Sequence, residues 1–147
     1  MIVEDLTPTS MPAVLPRVLE MVHELCRLHE AWDPQRFPYL PDVLQRYERW
    51  LPQRAADPRS VLAVARDGDE VLGFLIASVE REIPIYRVEE FLFVHDMYVE
   101  LARRGQGIGK SLMMHALERA RAMKVTQMRL DVARANGAAR KLFESCG

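Results

Sequence analysis

The run Arg103-Arg104-Gly105-Gln106-Gly107-Ile108-Gly109-Lys110-Ser111 constrains the fold more than any other stretch of this chain. It follows an apolar segment, Phe91 to Val99, that reads as a buried strand. It precedes Leu112, Met113, Ala116, Leu117, Ala120 and Met123, whose spacing marks the inner face of a helix. The order is therefore strand, glycine-rich turn, helix. Glycines at alternate positions strip the helix start of side chains and leave its amide hydrogens uncovered. Those unpaired donors, with the helix dipole, favour a phosphate. Arg103, Arg104 and Lys110 add positive charge beside them.

Three phosphate-binding patterns compete for this loop. The nucleotide-binding pattern G-x-x-x-x-G-K-[ST] is half present, as Gly109-Lys110-Ser111. Its first glycine falls on Arg104, whose side chain would stand where the loop must hug a phosphate. The dinucleotide pattern G-x-G-x-x-G fails in both registers, because its last glycine falls on Lys110 or on Leu112. The pattern R-x-x-G-x-G is met by Arg104, Gly107 and Gly109. At this point the chain resembles the GNAT superfamily of acyl-CoA-dependent N-acetyltransferases. Both Asp96-Met97-Tyr98-Val99 and the loop after it look like that family's strand, loop and helix. A second block, Asn136-Gly137-Ala138-Ala139-Arg140-Lys141-Leu142-Phe143-Glu144-Ser145-Cys146-Gly147, resembles the family's last core segment. The resemblance covers the chain from about residue 60 onward closely, and the earlier part in outline.

A length of 147 residues suits one domain with one core, here 1–147. The composition, 49% hydrophobic and 28% charged, is that of an ordinary globular protein. A net charge of -1 argues against a nucleic-acid or membrane surface as partner. Cys26 and Cys146 sit far apart in helical patterns with no metal spacing, so reduced thiols and a cytoplasmic setting are expected. There is no apolar run of membrane-spanning length and no basic-then-apolar leader.

The pattern along the chain predicts a short strand at 2–6, a turn and cap at 7–10, and a helix ending near Ala31. A proline- and aromatic-rich loop follows, then a helix from Asp42 to Leu51 that stops before Pro52. Val61 to Arg66 and Val71 to Val79 read as a hairpin turning at Asp67-Gly68-Asp69. After the strand and helix around the glycine loop come a strand over Val125 to Val132 and a helix over Ala138 to Cys146. This is an α/β class. The resemblance implies a mixed, mostly antiparallel sheet that splays between its fourth and fifth strands, flanked by about four helices. Family members continue into two further strands, so a chain ending at Gly147 reads as truncated or as completed by a partner chain, with a homodimer expected.

The resemblance also implies chemistry. Acetyl-CoA would place its pyrophosphate on the loop amides of Arg104, Gly105, Gln106, Gly107, Ile108, Gly109, Lys110 and Ser111. Its pantetheine arm would lie along Met97-Tyr98-Val99, paired to the main chain of Met97 and Val99. Asn136, Arg140 and Phe143 would stand on the coenzyme side of the last helix, although Asn136 reads equally as that helix's cap. No metal is implied. The acceptor is the amine of a small molecule, which attacks the thioester directly once it has lost its proton. Asp96 and His95 are the candidates to take that proton. A carboxylate inside an apolar strand is costly unless paired or functional. Trp32, Phe37 and Tyr39 are candidates to line the acceptor pocket or to plug the core. The family's tyrosine acid is replaced by Phe143, leaving Cys146 or Tyr98 as substitutes. Glu80, Glu82, Glu89 and Glu90 read as a solvated rim. Two rival readings are a catalytically silent acyl-CoA-binding module and a nucleotide-hydrolysing protein built on Gly109-Lys110-Ser111.

Overall fold

The structure, a computed structural model, describes residues 1–133 and 136–147. In chain order it forms β1 (Ile2–Asp5), α1 (Met11–Trp32), α2 (Val43–Ala56), β2 (Ser60–Asp67), β3 (Glu70–Arg81) and β4 (Glu90–Val99). A 3-10 turn (Leu101–Arg103), α3 (Ile108–Ala122), β5 (Met128–Leu130) and α4 (Gly137–Ser145) follow. The strands lie in the order β1-β2-β3-β4-β5. The first four are antiparallel to their neighbours, and β5 runs parallel to β4. The expected mixed, mostly antiparallel α/β sheet is what forms.

Both faces of the sheet are covered, which is why β2 and β3 read as unbroken apolar runs rather than alternating ones. On one face Val61, Ala63, Leu75, Ala77 and Leu92 pack against Leu112, Met113 and Ala116 of α3. On the other, Leu62, Val64, Phe74, Ile76 and Tyr98 pack against Val18, Met21, Val22 and Leu25 of α1 and Leu51 of α2. Gly73 lets β3 and β4 close up: a Cβ there would lie 2.6 Å from the Tyr98 carbonyl oxygen.

Two expected boundaries move. The second helix does not stop at Leu51 but runs through Pro52 to Ala56. Leu51 is fully buried and Ala55 packs on the same core, so tertiary contacts hold the last turn down. Pro52 and Glu48 are both exposed, so the Glu48 carbonyl, deprived of its helical donor by the proline ring, can turn to water. The last strand shrinks from the expected 125–132 to Met128–Leu130. Val125 is spent on closing α3, its amide donating to the Ala120 carbonyl at 2.9 Å.

Candidate functional site

The site begins with a register fault in β4. Val94 pairs with Ala77 and Asp96 with Ile76, so His95 is an extra residue without a partner on β3. Such a bulge reverses the alternation of the strand. Before it, Leu92 turns its amide toward β5 and donates to the Gln127 carbonyl at 2.9 Å. Beyond it, Glu100 turns its amide the other way, to the Leu72 carbonyl of β3 at 2.8 Å. The main chain of Met97 and Val99 therefore faces the β5 side. Yet β5 pairs only with Leu92, Phe93 and Val94. From His95 onward the two strands part, and β4 presents an unpaired edge among the described residues.

That edge leads into the glycine loop. Gly105 and Gly107 adopt left-handed φ angles of +80° and +83°. Gly107 begins α3, and no side chain caps the helix. A Cβ at either glycine would meet no atom within 4 Å, so the loop faces open space. Lys110 makes no ion pair among the described residues, whereas Arg103 pairs with Glu70 at 3.0 Å. Arg104 lies over the Tyr98 ring, and its Nε donates to the Val99 carbonyl at 3.0 Å. One of the two expected main-chain acceptors is thus already engaged. Ser111 closes back on the helix start, its hydroxyl donating to the Gly107 carbonyl at 3.0 Å. The uncovered amides and the free lysine suit a diphosphate.

On the α1 and α2 side of β4 a cleft of about 1030 Å³ opens, walled by Trp32, Phe37, Tyr47, Trp50 and Phe93. Cys26, His29, His95 and Asp96 also line it. A recess of about 80 Å³ continues from it, past Met97 and Leu130, to Asn136 and Phe143. In a regular strand the adjacent His95 and Asp96 would face opposite ways. The bulge lets both line one cleft.

Asp96 is deeply placed. The Tyr47 hydroxyl donates to its Oδ2 at 2.7 Å. Burial holds the Asp96 carboxyl above its ordinary range, against the Tyr47 hydrogen bond and the charges of His29 and His95. Burial, with the Asp96 charge, pushes the Tyr47 phenol far up. His95 and His29 are both pulled below the ordinary histidine value by burial, with Asp96 opposing in each case. Both imidazoles are therefore neutral near pH 7. Burial and Asp96 push the Cys26 thiol up to about 11, so it is protonated and a poor nucleophile. His95 is held from behind: its Nε2 lies 2.5 Å from the Ser78 hydroxyl, which donates to Glu80 at 3.1 Å. Two proton acceptors, a carboxylate and aromatic walls suit an ammonium group that must lose a proton.

Several expected positions are elsewhere. Tyr39 is not a wall of the cleft: its hydroxyl meets His23 Nδ1 at 2.6 Å and its amide is held by the Glu30 carboxylate. The Tyr98 ring stacks on Phe74 beneath α1, because the reversed alternation sends it into that core, away from the edge. It lines neither the cleft around Asp96 nor its recess. Cys146 packs on the α3-side core. Asn136 does cap α4, accepting from the Ala139 amide at 3.1 Å, and also reaches the recess. Arg140 is exposed on α4. Of the expected solvated rim, Glu89 is exposed, while Glu80 accepts from Ser78, Glu82 pairs with Arg129 at 2.5 Å and Glu90 pairs with Arg59. Sequence reasoning missed Tyr47, His29 and Cys26. Cys26 and His29 stand three residues apart beside the buried stripe of α1, but their meeting with Asp96 is a tertiary event.

Among the described residues no group of three or more His, Cys, Asp or Glu could hold a metal ion. Among the described residues no helix is long and apolar enough to cross a membrane.

The family model for the acetyltransferase (GNAT) family matches residues 22–147. Over 80 residues the chain is 31% identical to the L-2,4-diaminobutyric acid acetyltransferase of Shouchella clausii (strain KSM-K16), covering 54% of this chain and 42% of that enzyme. The chain thus spans less than half the length of this curated relative. Its fold resembles that of a tetramutant of the BH1408 protein from Bacillus halodurans, with a TM-score of 0.78, 20% identity, and 100% and 92% of the two chains covered. An aminoglycoside 6'-N-acetyltransferase from Acinetobacter haemolyticus superposes with a TM-score of 0.73 at 18% identity, covering 100% and 90%.

Proposed function

The chain belongs to the acetyltransferase (GNAT) family, and we propose that it transfers an acetyl group from acetyl-CoA to the amine of a small molecule by direct attack. One observation carries this reading. The parting of β4 from β5, the uncapped start of α3 and the cleft around Asp96 all adjoin one another. Acetyl-CoA, when bound, supplies an activated acyl group on a thiol that leaves readily.

The chain's own residues would do the rest. The amides from Gly105 to Lys110 and the Lys110 ammonium would hold the diphosphate, and the Met97 main chain would line the pantetheine arm. The aromatic walls and Asp96 would draw the acceptor's ammonium into the cleft. A neutral His95 would take its proton, with Asp96 stabilising the imidazolium that forms. Direct attack fits the Cys26 thiol, whose raised pKa leaves no ready nucleophile to carry the acetyl group in between. The small-amine class agrees with the amines in the names of the diaminobutyrate and aminoglycoside enzymes.

Calorimetry with acetyl-CoA, followed by thiol release across a panel of small amines, tests the reading. Saturable binding and turnover are expected. A folded sample that gives no heat at high micromolar acetyl-CoA would end it. One feature favours a second reading, a silent acyl-CoA-binding module: Phe143 offers no proton to a departing thiolate. That reading expects binding with no thiol release from any amine.

A further inference from the structure

Behind His95 of the cleft lies one arrangement that the acetyl-transfer reading does not use. Ser78 on β3 is buried, and its hydroxyl carries a single hydrogen. It donates that hydrogen to Glu80 Oε1 at 3.1 Å, since an ionised carboxylate can only accept. The same oxygen lies 2.5 Å from His95 Nε2. With its hydrogen spent on Glu80, Ser78 must accept there, so Nε2 carries a proton. The second ring nitrogen, Nδ1, is then the one left bare in the neutral imidazole. Glu80 Oε1 itself stands 3.6 Å from Nε2. The ring is also wedged edge-on between Trp50 and Phe93, at centroid distances of 5.3 and 5.1 Å. His95 is the bulge residue at the point where β4 leaves β5.

We propose that Glu80, acting through Ser78, is a positioning residue that fixes His95 in the tautomer with Nδ1 free to accept the acceptor amine's proton. This rests on the reading of His95 as the proton acceptor of the acetyl transfer. The step balances: the ammonium N–H bond breaks, its proton passes to Nδ1, and the freed lone pair attacks the acyl carbon. The imidazolium so formed keeps its Nε2–H on Ser78, with the Glu80 carboxylate behind it. Three charged groups bear on His95: Asp96 of its own strand and Glu80 of β3 favour protonation, and Arg54 of α2 opposes it.

The test has two arms. Nitrogen-15 spectra of histidine-labelled protein, with His95 assigned by its loss in His95→Gln, report the tautomer without any substrate. Wild-type protein should carry the proton on Nε2. In Glu80→Ala the freed Ser78 hydroxyl can donate to Nε2, so the proton should move to Nδ1. The His95 titration midpoint should fall, because the opposite charge behind the ring is lost. In Glu80→Gln, which keeps an acceptor oxygen, the tautomer should be retained. The second arm is the pH profile of kcat/KM with acetyl-CoA and 2,4-diaminobutyrate as the amine probe. Glu80→Ala should lower kcat about tenfold, leave the KM for acetyl-CoA unchanged, and move the acid limb to lower pH.

A wild-type His95 protonated on Nδ1, or a Glu80→Ala protein with an unchanged tautomer, overturns the proposal. An active Glu80→Ala enzyme whose acid limb does not move loses the positioning role alone. Wild-type protein that neither binds acetyl-CoA nor turns it over loses the proposed function, and with it the positioning role.

Discussion

At the scale of single residues the cleft is a contest between burial and charge. Asp96 sits where a carboxylate is costly, and one tyrosine hydroxyl at 2.7 Å offsets only part of that cost. Its raised pKa means that the folded protein holds the Asp96 proton to higher pH than the unfolded chain does. The fold is therefore weakened as pH rises from the ordinary carboxylate range through the folded value. Asp96→Asn removes that penalty. Its thermal midpoint at neutral pH should rise, while turnover falls about a hundredfold and acetyl-CoA affinity is kept. Equal turnover in the variant would remove Asp96 from the chemistry. The neighbouring Cys26 illustrates the same physics, since burial and the Asp96 charge hold it as a thiol.

At the scale of elements, two local irregularities make the site. The first is the bulge at His95, which aims two consecutive side chains into one cleft and turns the Met97 main chain to an empty edge. The second is the α3 start, where Gly107 takes a conformation that a β-branched residue tolerates poorly. Gly107→Val should cost about 1–2 kcal/mol of stability, read by chemical denaturation. It should also weaken acetyl-CoA binding at least tenfold, read by calorimetry, because the new side chain enters the open space above the loop. A folded variant with unchanged affinity would detach the loop from the ligand. Only the second irregularity is written in the local sequence, as glycines at fixed spacing. The bulge has no such mark, because Phe91 to Val99 reads as one continuous strand.

At the scale of the whole molecule, β3 joins two cores, one under α3 and one under α1 and α2. Phe74 is completely buried in the second and stacks on Tyr98 of β4. Phe74→Ala should cost about 3–5 kcal/mol, measured by denaturant unfolding, a large part of the stability of a typical domain. A loss below about 1 kcal/mol would mean that the α1–α2 layer is not packed as described. Periodicity and glycine spacing by themselves determined the order of elements, the α/β class and the glycine-rich turn before α3. Those signals are local, because helix starts, tight turns and apolar stripes answer to residues a few positions apart. Trp32, Phe37, His95 and Asp96 were legible as candidates, and the structure brings all four to one cleft. Tertiary structure alone decided that Tyr39 turns away to His23, and that Tyr47 reaches Asp96 from a helix far away in the chain. It also decided that Glu80 stands behind His95. Those contacts depend on the register between β3 and β4 and on how α1 and α2 lie across the sheet, and neither is encoded within any one segment.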